Sequence, residues 1–170
     1  RVDEAGGMPF FTMKLAGGGS LADRLRGGTK GTPSFTPRDC AALLAELAEA
    51  VQFAHSHGVL HRDLKPANVL FDDAGKPYLS DFGLVKLVDA VDPLSGSQNF
   101  LGTPHYASPE VASANAGAAT VASDVWSLGA VLYELLAGHT PFDAAGGPAP
   151  LGKNQGEPPP PPPPGGAPQP

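Results

Sequence analysis

Cysteine is almost absent from this 170-residue chain: Cys40 stands alone, so no internal disulfide can form. A lone cysteine fits a reducing compartment, the cytoplasm, and is expected as a buried or half-buried helix residue. Arginine is absent from the second half, with all five at or before Arg62, and the formal net charge is -6. That balance argues against nucleic acid or an anionic membrane surface as partner, because such partners call for clustered Lys and Arg. Long apolar runs are also missing. The longest, Val125 to Ala137, is interrupted by Ser127, Gly129 and Glu134, is too short to span a bilayer, and reads as a core helix. The first residue is Arg rather than Met, so upstream sequence is expected.

What is present divides in two. Residues Gly146 to Pro170 are nearly all Pro, Gly and Ala, with seven consecutive prolines from Pro158 to Pro164. Such a stretch can extend as polyproline II but cannot bury apolar area, so it is expected to be a disordered tail behind a folded region 1–145. The proline run is either a passive linker or a ligand for an SH3 or WW domain. Within the folded region, Pro9 to Leu15 reads as a strand stopped by three glycines, and Ser20 caps a short helix through Arg26. Thr36-Pro37-Arg38-Asp39 combines an N-cap, a proline at the first helical position and an acid at the third. The helix it starts runs to about His57 with Leu43, Leu47, Val51 and Ala54 on one face, and Gly58 stops it. A second helix, from about Ser123 to Ala137, is apolar nearly all round and should lie at the centre of a mainly helical domain.

Between the helices, Val69-Leu70-Phe71 and Pro77-Tyr78-Leu79 flank a Gly-containing loop and predict a hairpin. The hairpin turns the chain back so that Asp63, Asn68 and Asp81 can converge. Two carboxylates, an amide oxygen and the Lys65 ammonium suit a hard cation such as Mg2+ carrying a polyphosphate. Phosphoryl transfer is the matching reaction class. Asp72, Asp73 and Asp89 read as turn or cap residues. His55, His57 and His61 do not complete a zinc set, since no Cys or carboxylate pattern accompanies them.

His61-Arg62-Asp63-Leu64-Lys65-Pro66-Ala67-Asn68 resembles the catalytic loop of eukaryotic-type serine/threonine protein kinases, in a version suggesting a bacterial member. Asp81-Phe82-Gly83 resembles their metal-binding motif, and Ser108-Pro109-Glu110 the motif that closes the activation segment. The resemblance implies an α+β, mainly α-helical fold: a protein-kinase-like large lobe with a small hairpin, plus remnant strands of the small lobe. Residues 1–145 would then hold the hinge, catalytic loop, activation segment and central helix, ahead of the Pro/Gly-rich tail 146–170. By the same resemblance Asp63 orients or accepts the substrate hydroxyl proton, Lys65 neutralises charge on the transferred phosphoryl group, and Asn68 and Asp81 hold Mg2+. Met13 falls at the gatekeeper, Lys14 to Ala16 form the hinge that meets the adenine of ATP, and Leu70 lies beneath the ring. Asp124 would hold the catalytic-loop backbone, and Arg62 would receive a phosphate from Ser95, Ser97 or Thr103.

The family's Gly-rich phosphate loop, strand lysine and helix glutamate cannot be placed in Arg1 to Gly7. No arginine follows to pair with Glu110, which is expected to be solvated or poorly paired. The expected function is ATP-dependent phosphorylation of a protein Ser or Thr, with the 170 residues inactive alone. The alternative is a non-catalytic, kinase-like scaffold with a polyproline binding tail.

Overall fold

Val2–Ala5 (β1) and Met8–Phe11 (β2) pair antiparallel, with Val2 opposite Phe11 and Ala5 opposite Met8. The strand expected over Pro9 to Leu15 therefore stops early. It is described over Met8–Phe11, and Thr12 to Ala16 lie outside any strand. The computed structural model describes residues 2–6, 8–27, 35–82, 104–112 and 119–142. Gly83, Asp89, Ser95, Ser97, Thr103 and the proline run, all singled out above, lie outside the described residues.

Side-chain caps set the helix starts. Ser20 Oγ accepts the Asp23 amide at 3.1 Å and Asp23 Oδ2 accepts the Ser20 amide at 3.0 Å, opening α1 (Leu21–Gly27). The same reciprocal pair joins Thr36 and Asp39 at the head of α2 (Pro37–Ser56). Cys40, Leu43, Leu47 and Val51 on α2 are buried, and Ala54 is half-buried. The chain leaves α2 through Gly58 at φ +74°, a left-handed conformation that glycine adopts without steric strain.

A 3-10 turn at Pro66–Asn68 leads into β3 (Val69–Phe71), which pairs with β4 (Pro77–Leu79) in the register Val69 to Leu79 and Phe71 to Pro77. This is the expected hairpin, residue for residue. A second 3-10 turn, Pro104–Tyr106, precedes α3 (Pro109–Ala112). The central helix α4 (Val121–Ala137) starts two residues before the expected Ser123, because Thr120 is its cap and Ser123 Oγ accepts the Thr120 amide at 3.0 Å.

The core forms where α2 meets α4. Leu47, Val51, Leu128, Val131 and Leu135 pack there with Leu64, Val69 and Phe71 from beneath the hairpin. Each such side chain stabilises the fold by about 1.5 to 3 kcal/mol relative to exposure. Trp126 is half-buried at the edge of this core, stacked on Phe142. The fold is α+β and mainly helical, with two two-stranded sheets among the described residues. Among those residues no helix is long and apolar enough to cross a membrane.

Candidate active site

The segment His61 to Asn68 links α2 to the hairpin, and its backbone is unusual. Arg62 has φ +71° and Asp81 φ +62°, and a left-handed residue with a large side chain persists only where its surroundings hold it. For Arg62 the holder is Asp124, 2% exposed near the start of α4. Its Oδ1 accepts the Arg62 amide at 2.8 Å and its Oδ2 the His61 amide at 2.9 Å. His55 Nε2, from the last turn of α2, lies 2.7 Å from the same Oδ2. One carboxylate thus joins both long helices to the loop, with Asp124 in the position expected of it.

Asp63, Lys65 and Asn68 come together as a hydrogen-bonded group. Lys65 Nζ donates to Asp63 Oδ2 at 2.6 Å. Asn68 Nδ2 donates to the Asp63 carbonyl oxygen at 2.8 Å and to Oδ2 at 3.2 Å. Asn68 is buried and Asp63 and Lys65 are half-buried, so the charges are partly withdrawn from water. The chain carrying Asp81 is tied alongside: the Ser80 amide donates to the Asn68 carbonyl oxygen at 3.0 Å, and Ser80 Oγ donates to Asp81 Oδ2 at 3.1 Å. His61 packs its ring on Phe82 at 4.5 Å. Burial pushes the His61 pKa down, although the Asp124 and Asp63 carboxylates pull the other way.

This donor set fits Mg2+. With its amide nitrogen committed to Asp63, Asn68 has its amide oxygen left for a cation, and Asp81 is an exposed carboxylate on the neighbouring strand end. Both are hard oxygen donors.

Of the expected nucleotide-contacting residues, Leu70 lies half-buried on β3, Ala16 is half-buried, and Met13 and Lys14 are exposed. The chain just beyond Ala16 is tied to β3, with the Gly18 amide donating to the Phe71 carbonyl at 2.8 Å and the Phe71 amide donating to that of Gly19 at 2.9 Å. Gly18 is required by this approach, since a Cβ there would sit 2.5 Å from the Asp72 carbonyl oxygen.

Three features escape a reading of local motifs. Lys14 Nζ donates to Asp72 Oδ2 at 2.8 Å and to Tyr78 Oη at 2.7 Å, pinning the chain before Ala16 to the hairpin. The hydrogen bond from Lys14 holds the Asp72 carboxyl well below the usual carboxylate range. Asp72 Oδ1 also accepts the Ala74 and Lys76 amides, the turn role expected of it. Second, Tyr106 Oη donates to Glu134 Oε2 at 2.6 Å. Burial raises the pKa of both, with the Glu134 charge adding to the rise at Tyr106. The signal was Glu134 itself, an acid inside an apolar helix that demands a partner. Third, Ser123 Oγ donates to Glu110 Oε1 at 2.8 Å. Burial opposes ionisation of Glu110, but the helix-end amide and the Ser108 and Ser123 hydroxyls outweigh it and lower its pKa. Glu110 is exposed and hydroxyl-bonded.

The sequence profile of the protein kinase domain matches residues 6–155. The DNA damage-responsive serine/threonine-protein kinase RqkA of Deinococcus radiodurans is 45% identical over 136 residues, covering 80% of this chain and 20% of that protein. The CBL-interacting serine/threonine-protein kinase 21 of Arabidopsis thaliana is 43% identical over 133 residues, 78% of this chain and 30% of that protein. The calcium/calmodulin-dependent protein kinase type 1 of Caenorhabditis briggsae is 41% identical over 136 residues, 78% and 35% respectively. The chain thus spans about a fifth to a third of the length of these three curated relatives.

Proposed function

The chain belongs to the protein kinase domain family, a serine/threonine kinase by family, and from that premise we propose that residues 1–145 are the part of a kinase domain that transfers the γ-phosphoryl group of ATP to a protein Ser or Thr hydroxyl. The observation that carries the reading is the Asp63, Lys65 and Asn68 group. Oδ2 of Asp63 is occupied by two donors, so Oδ1 is the oxygen left to take or orient the hydroxyl proton. The Lys65 ammonium, held at Asp63, is placed to offset negative charge on the phosphoryl group. Asn68 and Asp81 are the residues that would hold Mg2+. A bound Mg2+ supplies charge neutralisation on the phosphate oxygens. Met13, Lys14, Ala16 and Leu70 are the hinge and floor of the adenine site, and the Lys14 to Asp72 pair sets how the hinge lies on the hairpin. Arg62, whose Nε is buried with no hydrogen bond among the described residues, is the candidate for pairing with a phosphate on Ser95, Ser97 or Thr103. A cytoplasmic setting belongs to the same reading.

The test joins this chain to the small lobe of the similar Deinococcus radiodurans kinase and measures phosphate transfer from ATP to a protein substrate. Asp63→Asn is expected to lower the rate by a factor of at least ~100, the scale of losing a general base or orienting group. An unchanged rate sinks the assignment of Asp63.

A further inference from the structure

Ser80 touches both of the residues that would hold Mg2+. Its amide donates to the Asn68 carbonyl oxygen at 3.0 Å, and its hydroxyl lies 3.1 Å from Asp81 Oδ2 and 3.3 Å from that same carbonyl oxygen. A serine hydroxyl carries one proton and serves one acceptor at a time. Asp81 Oδ2 is the nearer of the two and belongs to a carboxylate, the stronger kind of acceptor. The Asn68 carbonyl is already satisfied by the Ser80 amide. The hydroxyl proton therefore goes to Asp81, while the amide fixes the backbone of Ser80 against Asn68.

Asp81 depends on such a support. It lies beyond the end of β4, outside any helix or strand, so no ladder bond of a sheet sets its direction. Its φ of +62° is a left-handed conformation, which a residue with a Cβ keeps only where its surroundings hold it. Carboxylates that bind cations are themselves held by hydrogen bonds from neighbouring groups, and losing such a bond typically costs about tenfold to a hundredfold in metal affinity. We propose that Ser80 is a positioning residue of the metal site. Its hydroxyl holds the Asp81 carboxylate in one orientation, and its amide holds that arrangement against Asn68, so the two oxygen donors are ordered before a cation arrives. This rests on the metal-binding reading of Asn68 and Asp81 given above, and it adds a residue that touches no metal and acts through Asp81.

The probe is Mn2+ alone, a cation that takes the same oxygen ligands as Mg2+ and whose unpaired electrons broaden the NMR signals of nearby nuclei. The isotope-labelled 170-residue chain is titrated with Mn2+ without nucleotide, and the concentration that halves the Asn68 and Asp81 amide signals is the readout. Ser80→Ala is expected to raise that midpoint about tenfold, the low end of the usual range because the hydroxyl-to-carboxylate distance is long for such a bond. Ser80→Thr keeps the hydroxyl and should stay within roughly twofold of the unsubstituted chain. Ser80→Val has the shape of the threonine variant without its hydroxyl and should follow Ser80→Ala, so the threonine and valine pair decides if the alanine variant fails to fold. Amide shifts of Leu47, Val131 and Leu135, all in the core, are the folding control. A serine that only supported the fold would disturb those signals and leave the Mn2+ midpoint where it was. Equal midpoints for the threonine and valine variants overturn the proposal. Asp81→Asn separates that failure from failure of the reading beneath it. If Asp81→Asn abolishes the broadening while loss of the Ser80 hydroxyl leaves the midpoint unmoved, the metal site stands and Ser80 has no part in it. If Asp81→Asn also leaves the midpoint unmoved, the metal site and the role of Ser80 fall together.

Discussion

Asp124 is only 2% exposed, which is tolerable for a polar side chain because both oxygens are used: Oδ1 by the Arg62 amide, Oδ2 by the His61 amide and His55. Removing one partner of such a group leaves the others buried and unpaired. Asp124→Ala is therefore expected to destabilise the chain by about 3 to 5 kcal/mol, read from the midpoint of urea unfolding. Asp124→Asn keeps one acceptor oxygen and should cost about 1 to 3 kcal/mol; equal, negligible effects of both would show that Arg62 holds its left-handed conformation without the clamp. Glu134 presents the opposite electrostatic case. Its folded pKa is raised above 4.5, chiefly by burial, so the folded state binds its proton more tightly than the unfolded state. Its stabilising contribution is complete below pH 4.5 and is lost as pH rises through the raised folded value. His61 has its pKa lowered below 6.5, so the unfolded chain binds that proton more readily, and stability is lost as pH falls from 6.5 toward the folded value. A thermal-melting series should accordingly steepen in opposite directions for the two sites: Glu134→Gln flattens the profile above pH 4.5, and His61→Gln flattens it below pH 6.5. Identical profiles for all three proteins would remove both assignments.

Elements differ in how far local sequence determines them. The start of α2 is written in four adjacent residues, because Thr36 and Asp39 satisfy each other's amides and need nothing else. Thr36→Ala is expected to lower stability by about 1 kcal/mol, a drop of roughly 4 to 8 °C in Tm for a domain of this folded size; an unchanged Tm would mean that the packing of α2 on α4 outweighs its cap. The β3–β4 hairpin was likewise legible, since its turn residues and both strands lie within eleven positions, Val69 to Leu79. The β1–β2 pair was not. Pro9 to Leu15 carries uniform strand character, and its own residues do not mark Phe11 as the last of the strand. Contacts between elements were hidden for the same reason: Lys14 meets Asp72 across 58 positions, and Tyr106 meets Glu134 across 28. Nothing in either neighbourhood marks the other.

For the molecule as a whole, the site was legible because Asp63, Lys65, Asn68 and Asp81 fall within nineteen consecutive residues, 63–81. The clamp on it came only through family resemblance, since Asp124 is remote in sequence. On the proposed reading, these 170 residues would supply a hinge and a floor to an adenine site, while no Gly-rich loop or strand lysine can be placed in the sequence. If the missing contacts are worth ~3 to 4 kcal/mol, a dissociation constant of tens of micromolar weakens to several millimolar. About 1 mM Mg-ATP should then raise the Tm of the isolated chain by less than roughly 1 °C. A larger shift that Asp81→Ala abolishes would show a complete nucleotide site. The separation of Asp124 from the loop it clamps also sets an order of events at the ribosome. The Arg62 amide and its acceptor are 62 residues apart, which at about 5 to 20 residues per second is roughly 3 to 12 s of translation. Until Asp124 emerges, nothing holds Arg62 in its left-handed turn, and the loop samples the ordinary conformations of a nascent chain. Ribosome pausing between codons 62 and 124 would lengthen the period in which His61 to Asn68 is open to proteases, and a synonymous-codon change in that interval can alter yield without altering a single amino acid.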